Sequence, residues 1–211
     1  MTRRRESPTE GAVPGRFAGE TAIVTGSTRG IGAGIAERLA AEGANVVVSG
    51  RSEEAGEAVA ERIATGSGEG DATFVRADMR DPDDVAALAE AAAERYGSVD
   101  VLVNNAGVQT ETAADEATLD DWAFVVETDF RAYWLAARAA LEHMDRGAIV
   151  NVSSNHAYAT MPKHFPYNAV KAGINGMTRS LAVDFGPQVR VNTVVPGWVE
   201  VERTREELPE G

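Results

Sequence analysis

Tyr167 and Lys171 stand four residues apart, so on a helix they share one face. Ser154 lies thirteen residues before Tyr167, closing the stretch Ile149-Val150-Asn151-Val152-Ser153-Ser154. A phenol, an ammonium and a hydroxyl are the groups needed to pass a proton to or from a carbonyl oxygen. An unperturbed phenol titrates near pH ~10, and a cation beside it stabilises the phenolate. In that arrangement Lys171 supplies the cation, Ser154 orients the substrate oxygen and Tyr167 gives or takes the proton. The competing reading is a core tyrosine and a surface lysine at helical spacing by chance. Chance is the less attractive because the chain has only one other lysine, Lys163.

Such chemistry needs a hydride carrier, and the start of the chain offers a place for one. Thr25-Gly26-Ser27-Thr28-Arg29-Gly30-Ile31-Gly32 joins an apolar run to a helical one. Glycines there permit a tight turn and bring backbone N–H groups and a helix N-terminus close to a pyrophosphate. The spacing differs from G-x-G-x-x-G, and a glycine cluster between strand and helix is often only a turn. The second apolar run ends in Gly50-Arg51, where an NAD site carries an acidic residue on the ribose 2′-hydroxyl. A guanidinium there suits a 2′-phosphate, and Arg29 can add a second contact. NADP(H) is therefore the preferred cofactor and NAD(H) the second; the alternative is a solvated Arg51 at a helix start. Asp78, followed by Met79, sits where it can accept from an adenine amino group or cap the next turn. Asn105, Ala106 and Gly107 form a small-residue segment able to lie against a ribose. His156 and His164 flank the chemical end, as substrate contacts or, the preferred reading, as ordinary loop histidines. No His/Asp/Glu set has metal-ligand spacing.

The elements that must hold these groups alternate. Val- and Ile-rich runs at Thr21–Thr25, Asn45–Ser49, Thr73–Ala77, Val99–Val103, Ala148–Val152 and Val189–Val194 read as strands buried on both faces. Between them Ile31–Glu42, Glu53–Ile63, Asp83–Tyr96, a long stretch Leu119–Met144 and Ala169–Phe185 have helical spacing. Pro82 followed by two aspartates is a sensible helix start. This β/α alternation predicts an α/β fold with a doubly wound parallel sheet of about six strands, ligands binding beyond the strand ends. Residues 1–19, with Pro8, Gly11, Pro14 and Gly15, read as a loose leader; 20–201 as the folded domain; 202–211 as a short charged tail.

Composition narrows the classes. The chain has 211 residues, 33 acidic and 20 basic, a net charge of −13, and no cysteine. The acidic balance disfavours nucleic acid. No apolar run is long enough for a membrane span, and Arg3-Arg4-Arg5 is followed by polar residues rather than a signal segment. Disulfides and thiolate chemistry are excluded, and a reducing cytoplasm is the expected setting. Acid excess with two lysines fits a salt-rich cytoplasm; a GC-rich genome explains the same bias equally well.

Together these motifs resemble the short-chain dehydrogenase/reductase family, over about residues 20–201. The matching pieces are the Thr25–Gly32 turn, Asp78, Asn104-Asn105-Ala106-Gly107, Ser154, Tyr167-Asn168-Ala169-Val170-Lys171 and Arg190-Val191-Asn192-Thr193-Val194-Val195-Pro196-Gly197. Within the family the chain looks like the 3-oxoacyl-carrier-protein reductase and glucose 1-dehydrogenase type. The resemblance implies a three-layer Rossmann fold and a carbonyl/secondary-alcohol substrate of small size. It also implies Tyr167 as acid/base, Lys171 on the nicotinamide ribose, Ser154 on the substrate, Pro196 and Gly197 beside the cofactor, and the main chain of Val199 near the carboxamide.

Three departures stand out. Counting from Trp122, the family's catalytic Asn position holds Asp129. Asp129 can still accept hydrogen bonds and pair with Lys171, and the added charge predicts reduced or pH-shifted turnover. A family Thr after Pro-Gly is Val201 here, one polar cofactor contact fewer. The sequence ends at Gly211 without a visible seventh strand, which leaves the sixth as an apolar edge open to pairing. A homo-oligomer would cover that edge. The competing readings are a nucleotide-binding remnant without turnover and a structural partner that uses the edge.

Overall fold

The computed structural model describes residues 7–66 and 68–201. Six parallel strands form one sheet in the order β3-β2-β1-β4-β5-β6. They are β1 (Thr21–Val24), β2 (Asn45–Gly50), β3 (Ala72–Arg76), β4 (Val101–Asn104), β5 (Gly147–Val152) and β6 (Val189–Val194). The helices are α1 (Gly30–Ala41), α2 (Glu53–Ala64), α3 (Pro82–Tyr96), α4 (Leu119–Val125), α5 (Ala132–Leu141) and α6 (Tyr167–Phe185). This is the doubly wound, Rossmann-like arrangement that the alternation predicts.

The strand runs explain the layers. β1 and β4 are buried along their whole length, as a strand covered on both faces must be. Alternate residues feed two cores. Ala22, Val24, Val46 and Val48 pack with Ala33, Ala36 and Ala40 of α1 and with Val59 and Ile63 of α2. Ile23, Val47, Leu102 and Ile149 pack with α3 and α5. The inner face of α1 is alanine, which lets the helix lie close to the sheet. Leu88 and Ile149 are fully buried; truncating either to Ala removes about 2–5 kcal/mol.

Helix starts follow local chemistry. Ser52 caps α2, Asp81 caps α3 ahead of Pro82, and Thr118 with Asp121 forms a reciprocal capping box at α4. Gly97, at φ +94°, closes α3 in the left-handed conformation.

Three expectations change. The long stretch Leu119–Met144 is not one α-helix. A π-helical segment, Val126–Arg131, separates α4 from α5 and carries Asp129. Periodicity over such a window averages across one widened turn, so it passes unseen. β6 is not buried on both faces either. Its residues alternate, with Val189 and Val191 inward and Arg190, Asn192 and Val194 outward. Most of the open side of this edge is therefore polar, and the apolar exposure begins at Val194, Val195, Trp198 and Val199. The described part of the leader is made of exposed turns, but it is tied down. Arg38 donates to the carbonyls of Glu10 and Gly11, and buried Glu42 accepts from Val13 N–H and pairs with Arg38 and Arg16.

No helix among the described residues is long and apolar enough to cross a membrane. The charged tail and residues 1–6 lie outside the described residues.

Candidate active site

The strand order reverses between β1 and β4, and a cleft of about 910 Å³ opens beyond their C-terminal ends. Its walls come from the turn after β1, the ends of β2 and β3, the segment after β4, the β5 exit, the start of α6 and the segment after β6.

At the nucleotide end the walls are largely backbone. Gly26 has φ +63°, and a Cβ there would lie 2.7 Å from Ala106 Cα. A Cβ on Gly32 would collide with Gly26 O and the Asn105 amide. Thr25 Oγ1 accepts from both Asn105 N–H and Ala106 N–H at 3.0 Å. Asn105 Nδ2 donates to Thr25 O (2.9 Å) and Gly26 O (3.1 Å). The Asn105 side chain thus clamps the glycine turn. Unlike α2, α3 and α4, α1 begins with no side-chain cap, so its first N–H groups face the cleft at Arg29, Gly30, Ile31 and Gly32. Thr28 lines the cleft and backs onto Gly50.

Ser27 departs from its expected cofactor role. Its hydroxyl donates to Val24 O and accepts from Ser49 N–H, and its own N–H bonds Ser49 O. Fully buried, it holds the β1 and β2 ends together and does not line the cleft.

Arg51 and Arg29 are exposed at the cleft wall. Asp78 also lines it, gripped by Arg80 through Nε (3.0 Å) and a terminal nitrogen (2.6 Å). That bond holds the Asp78 carboxyl at about 2. Met79 is buried beneath it and reaches both cleft and core.

The chemical end is built from buried side chains. α6 starts at Tyr167, which places Tyr167 and Lys171 one turn apart on the cleft side. Lys171 is nearly inaccessible. Its Nζ lies 3.1 Å from Asp129 Oδ2, donates to Val152 O at 3.1 Å, and sits 5.5 Å from the Tyr167 ring. Asp129 Oδ1 accepts from Val108 N–H at 2.8 Å. Oδ2 has no aligned hydrogen bond, so its link to Lys171 is chiefly charge on charge. Burial opposes the ammonium, but Tyr133, Asp129 and Tyr167 outweigh it and hold Lys171 above its ordinary pKa. Burial likewise raises Asp129, with Lys171 and Val108 pulling it back. The two stand at ion-pair distance. A Cβ on Gly107 would fall 2.9 Å from Asp129 Oδ2 and 3.4 Å from Lys171 Nζ, so the pair needs glycine there.

Ser154 is buried at the β5 exit, lines the cleft and accepts from His156 N–H at 3.2 Å. Asn155 N–H holds Pro196 O at 2.9 Å, which draws the Pro196-Gly197 segment to the site. Val199 lines the same wall, and Val201 lies against Gly30.

Sequence reasoning missed Tyr133. Wholly buried, its hydroxyl donates toward Ala106 O (3.0 Å) and Val152 O (3.3 Å), and its ring lies 5.4 Å from Lys171 Nζ. Burial pushes its phenol up, so it stays a neutral donor. Its spacing of four from Asp129 was the available signal. Asn104, Asn151, Thr178 and Thr193 form a further buried chain of hydrogen bonds that fixes β4, β5 and β6 to α6.

The model of the family described as short chain dehydrogenase matches residues 20–210. The chain belongs to the short-chain dehydrogenase family. It is 40% identical over 199 residues to the trans-4-hydroxycyclohexanecarboxylate dehydrogenase of Sinomonas cyclohexanicum, covering 91% of this chain and 77% of that protein. It is 38% identical over 190 residues to glucose 1-dehydrogenase 2 of Bacillus subtilis, covering 87% and 73%. A short-chain dehydrogenase from Burkholderia cenocepacia, solved in complex with NADP, superposes with TM-score 0.84 at 38% identity, over 89% of this chain and 77% of that one. Like its relatives, this short-chain dehydrogenase is an oxidoreductase of CH–OH groups.

Proposed function

We propose that the protein interconverts a carbonyl and a secondary alcohol of a small molecule, with NADP(H) as the preferred hydride carrier and Tyr167 as acid/base. The observation that carries this is the convergence of Tyr167, Lys171 and Ser154 on one wall of the cleft, with Lys171 held as an ammonium beside Asp129.

The cleft fits a dinucleotide. The uncapped α1 N-terminus and the crowded glycines favour a pyrophosphate. Arg51 follows Gly50 where a ribose-binding acid would stand, and the Arg80 bond occupies the Asp78 carboxylate, leaving Arg29 and Arg51 for a 2′-phosphate. The NADP-bound relative agrees with this preference. When bound, the cofactor supplies or accepts the hydride.

The chain's own groups handle the proton. Ser154 orients the substrate oxygen and Tyr167 donates to it in reduction or accepts from it in oxidation. The Lys171 ammonium stabilises negative charge on the Tyr167 oxygen, and Asp129 fixes the ammonium in place. Val152 O and Tyr133 hold the same cation from behind.

The test is titration of the chain with NADPH and NADH, followed by turnover of a carbonyl panel read at the nicotinamide absorbance. NADPH should bind the more tightly. Tyr167→Phe should lower kcat by about 10²–10⁴-fold with cofactor affinity kept. Full-speed reduction in Tyr167→Phe, or no binding of either nucleotide, overturns the reading.

A further inference from the structure

The substrate end of the cleft contains a pair of histidines that the carbonyl chemistry does not use. The rings of His156 and His164 stack with centroids 4.3 Å apart and planes 5° from parallel. His156 also meets the Tyr167 ring edge-on at 5.9 Å. Both histidines line the cleft. The connection between β5 and α6 that bears both is braced. Ser154 Oγ accepts from His156 N–H. Phe165, next to His164, bonds Thr112 O through its N–H and accepts from Thr110 Oγ1 at 3.0 Å.

The hydrogen bonds fix where a proton would go. His164 Nδ1 faces Pro162 O at 2.9 Å, and a carbonyl only accepts, so Nδ1 carries hydrogen. His156 Nδ1 lies 3.1 Å from Thr160 Oγ1, and where Thr160 donates onward to Met161 O the same tautomer is assigned. Each Nε2 is then a lone pair without a partner among the described residues. Any proton gained appears at Nε2, as a charged donor. Two stacked imidazolium rings repel, whereas one imidazolium over one neutral imidazole is attractive. The stacked geometry accommodates one imidazolium better than two.

Charge around the pair selects the ligand. The chain has 33 acidic residues, yet none lies between Gly147 and Val183. Both lysines and two of the three histidines fall in that stretch. Among the described residues Asp78 is the only acid lining the cleft, and Arg80 pairs with it. The rings packed against His156 are those of His164 and Tyr167; Lys163 precedes His164 in the chain, and Lys171 lies one turn along α6 from Tyr167, beside Asp129. A neutral polyol gives no reason to keep carboxylates away; an anion does.

We propose that His156 and His164 anchor a carboxylate on the substrate, so that the preferred substrates are short hydroxy- or oxo-carboxylates that bind with uptake of a proton. The proposal rests on the carbonyl/alcohol reading above. Burial and His164 hold His156 below its ordinary pKa. The incoming carboxylate reverses that preference, which is why a proton accompanies it.

The test is calorimetric titration of the full chain, saturated with NADP⁺ so that oxo-acids cannot turn over. The probes are 3-oxobutanoate, 4-oxopentanoate and 5-oxohexanoate, each against its amide, in two buffers of different ionisation enthalpy. Near neutral pH at least one acid should bind about tenfold more tightly than its amide with uptake of about one proton. Both effects should vanish in His156→Asn and His164→Gln. Amides that bind as well as the acids, an absent proton uptake, or discrimination surviving both variants overturns the proposal. Tyr167→Phe should keep the discrimination while losing turnover. Failure of the catalytic reading would instead appear as a wild-type chain that selects acids and reduces none. If NADP⁺ does not bind, the same titrations on the bare chain still read the anion site.

Discussion

The two ends of the cleft solve their problems with different materials. The nucleotide end is shaped by backbone: glycines with no room for a Cβ, an uncapped helix start, and an Asn105 amide spent on holding the turn. The chemical end is shaped by buried side chains in mutual contact: Lys171, Asp129, Tyr133, Asn104 and Asn151. A backbone cradle depends on sterics and tolerates exposure. A buried ion network depends on every partner being present, because a charge left alone in the interior has no water to turn to. The chemical end should therefore be the more fragile under single substitutions.

The sharpest way to break this comparison is Asp129→Ala. It strands the Lys171 ammonium and leaves Val108 N–H unpaired, and should lower unfolding stability by about 3–5 kcal/mol in denaturant melts. Asp129→Asn keeps an acceptor for Val108 and should cost less, while moving the pH–rate profile. An unchanged profile would remove Asp129 from the proton relay.

Next comes Gly26→Ala. Its Cβ meets Ala106 at a positive φ, so stability should fall by about 1–3 kcal/mol and NADPH affinity with it. A loss at Gly26 equal to that at Asp129 would erase the contrast between the two ends.

Arg51→Ala should be milder and selective. NADPH Kd should rise about tenfold, the loss of one charge-assisted contact, with NADH little changed. Equal weakening of both nucleotides would show that Arg51 does not read the 2′-phosphate.

The smallest effect belongs to Asp78. Its folded pKa, about 2, lies below the ordinary 3.8. Its contribution is therefore complete above pH 3.8 and is lost as pH falls towards 2. Part-exposed as it is, it should add of order 1 kcal/mol to the acid limb of a stability–pH curve. Asp78→Asn should flatten that limb.

Much of this was legible in the chain. Val- and Ile-rich runs separated by helical spacing gave six strands in nearly the right places, because burial on both faces leaves a continuous apolar signature. β6 was the exception in character: Arg190 and Asn192 already broke the run, and the structure turns them outward. Tyr167, Lys171 and Ser154 were readable since two share a helix turn and the third closes a strand. Ser27 was misplaced because the glycine-turn pattern does not say which of its side chains points inward. Tyr133 was missed since a buried tyrosine in an alanine-rich helix looks like packing until its hydroxyl is seen to bridge β4 and β5 exits.

Sequence alone determined the order of elements, the glycine turn and the types of group available for catalysis. These are set by local sterics and by periodic burial, both of which are written along the chain. Tertiary structure decided which groups meet. Asp129 reaches Lys171 from 42 residues away through a π-helical turn, and His156 stacks on His164 because the connection between β5 and α6 folds back on itself against the cleft wall. Contacts between distant segments depend on how helices and loops seat on the sheet, and no local spacing encodes that.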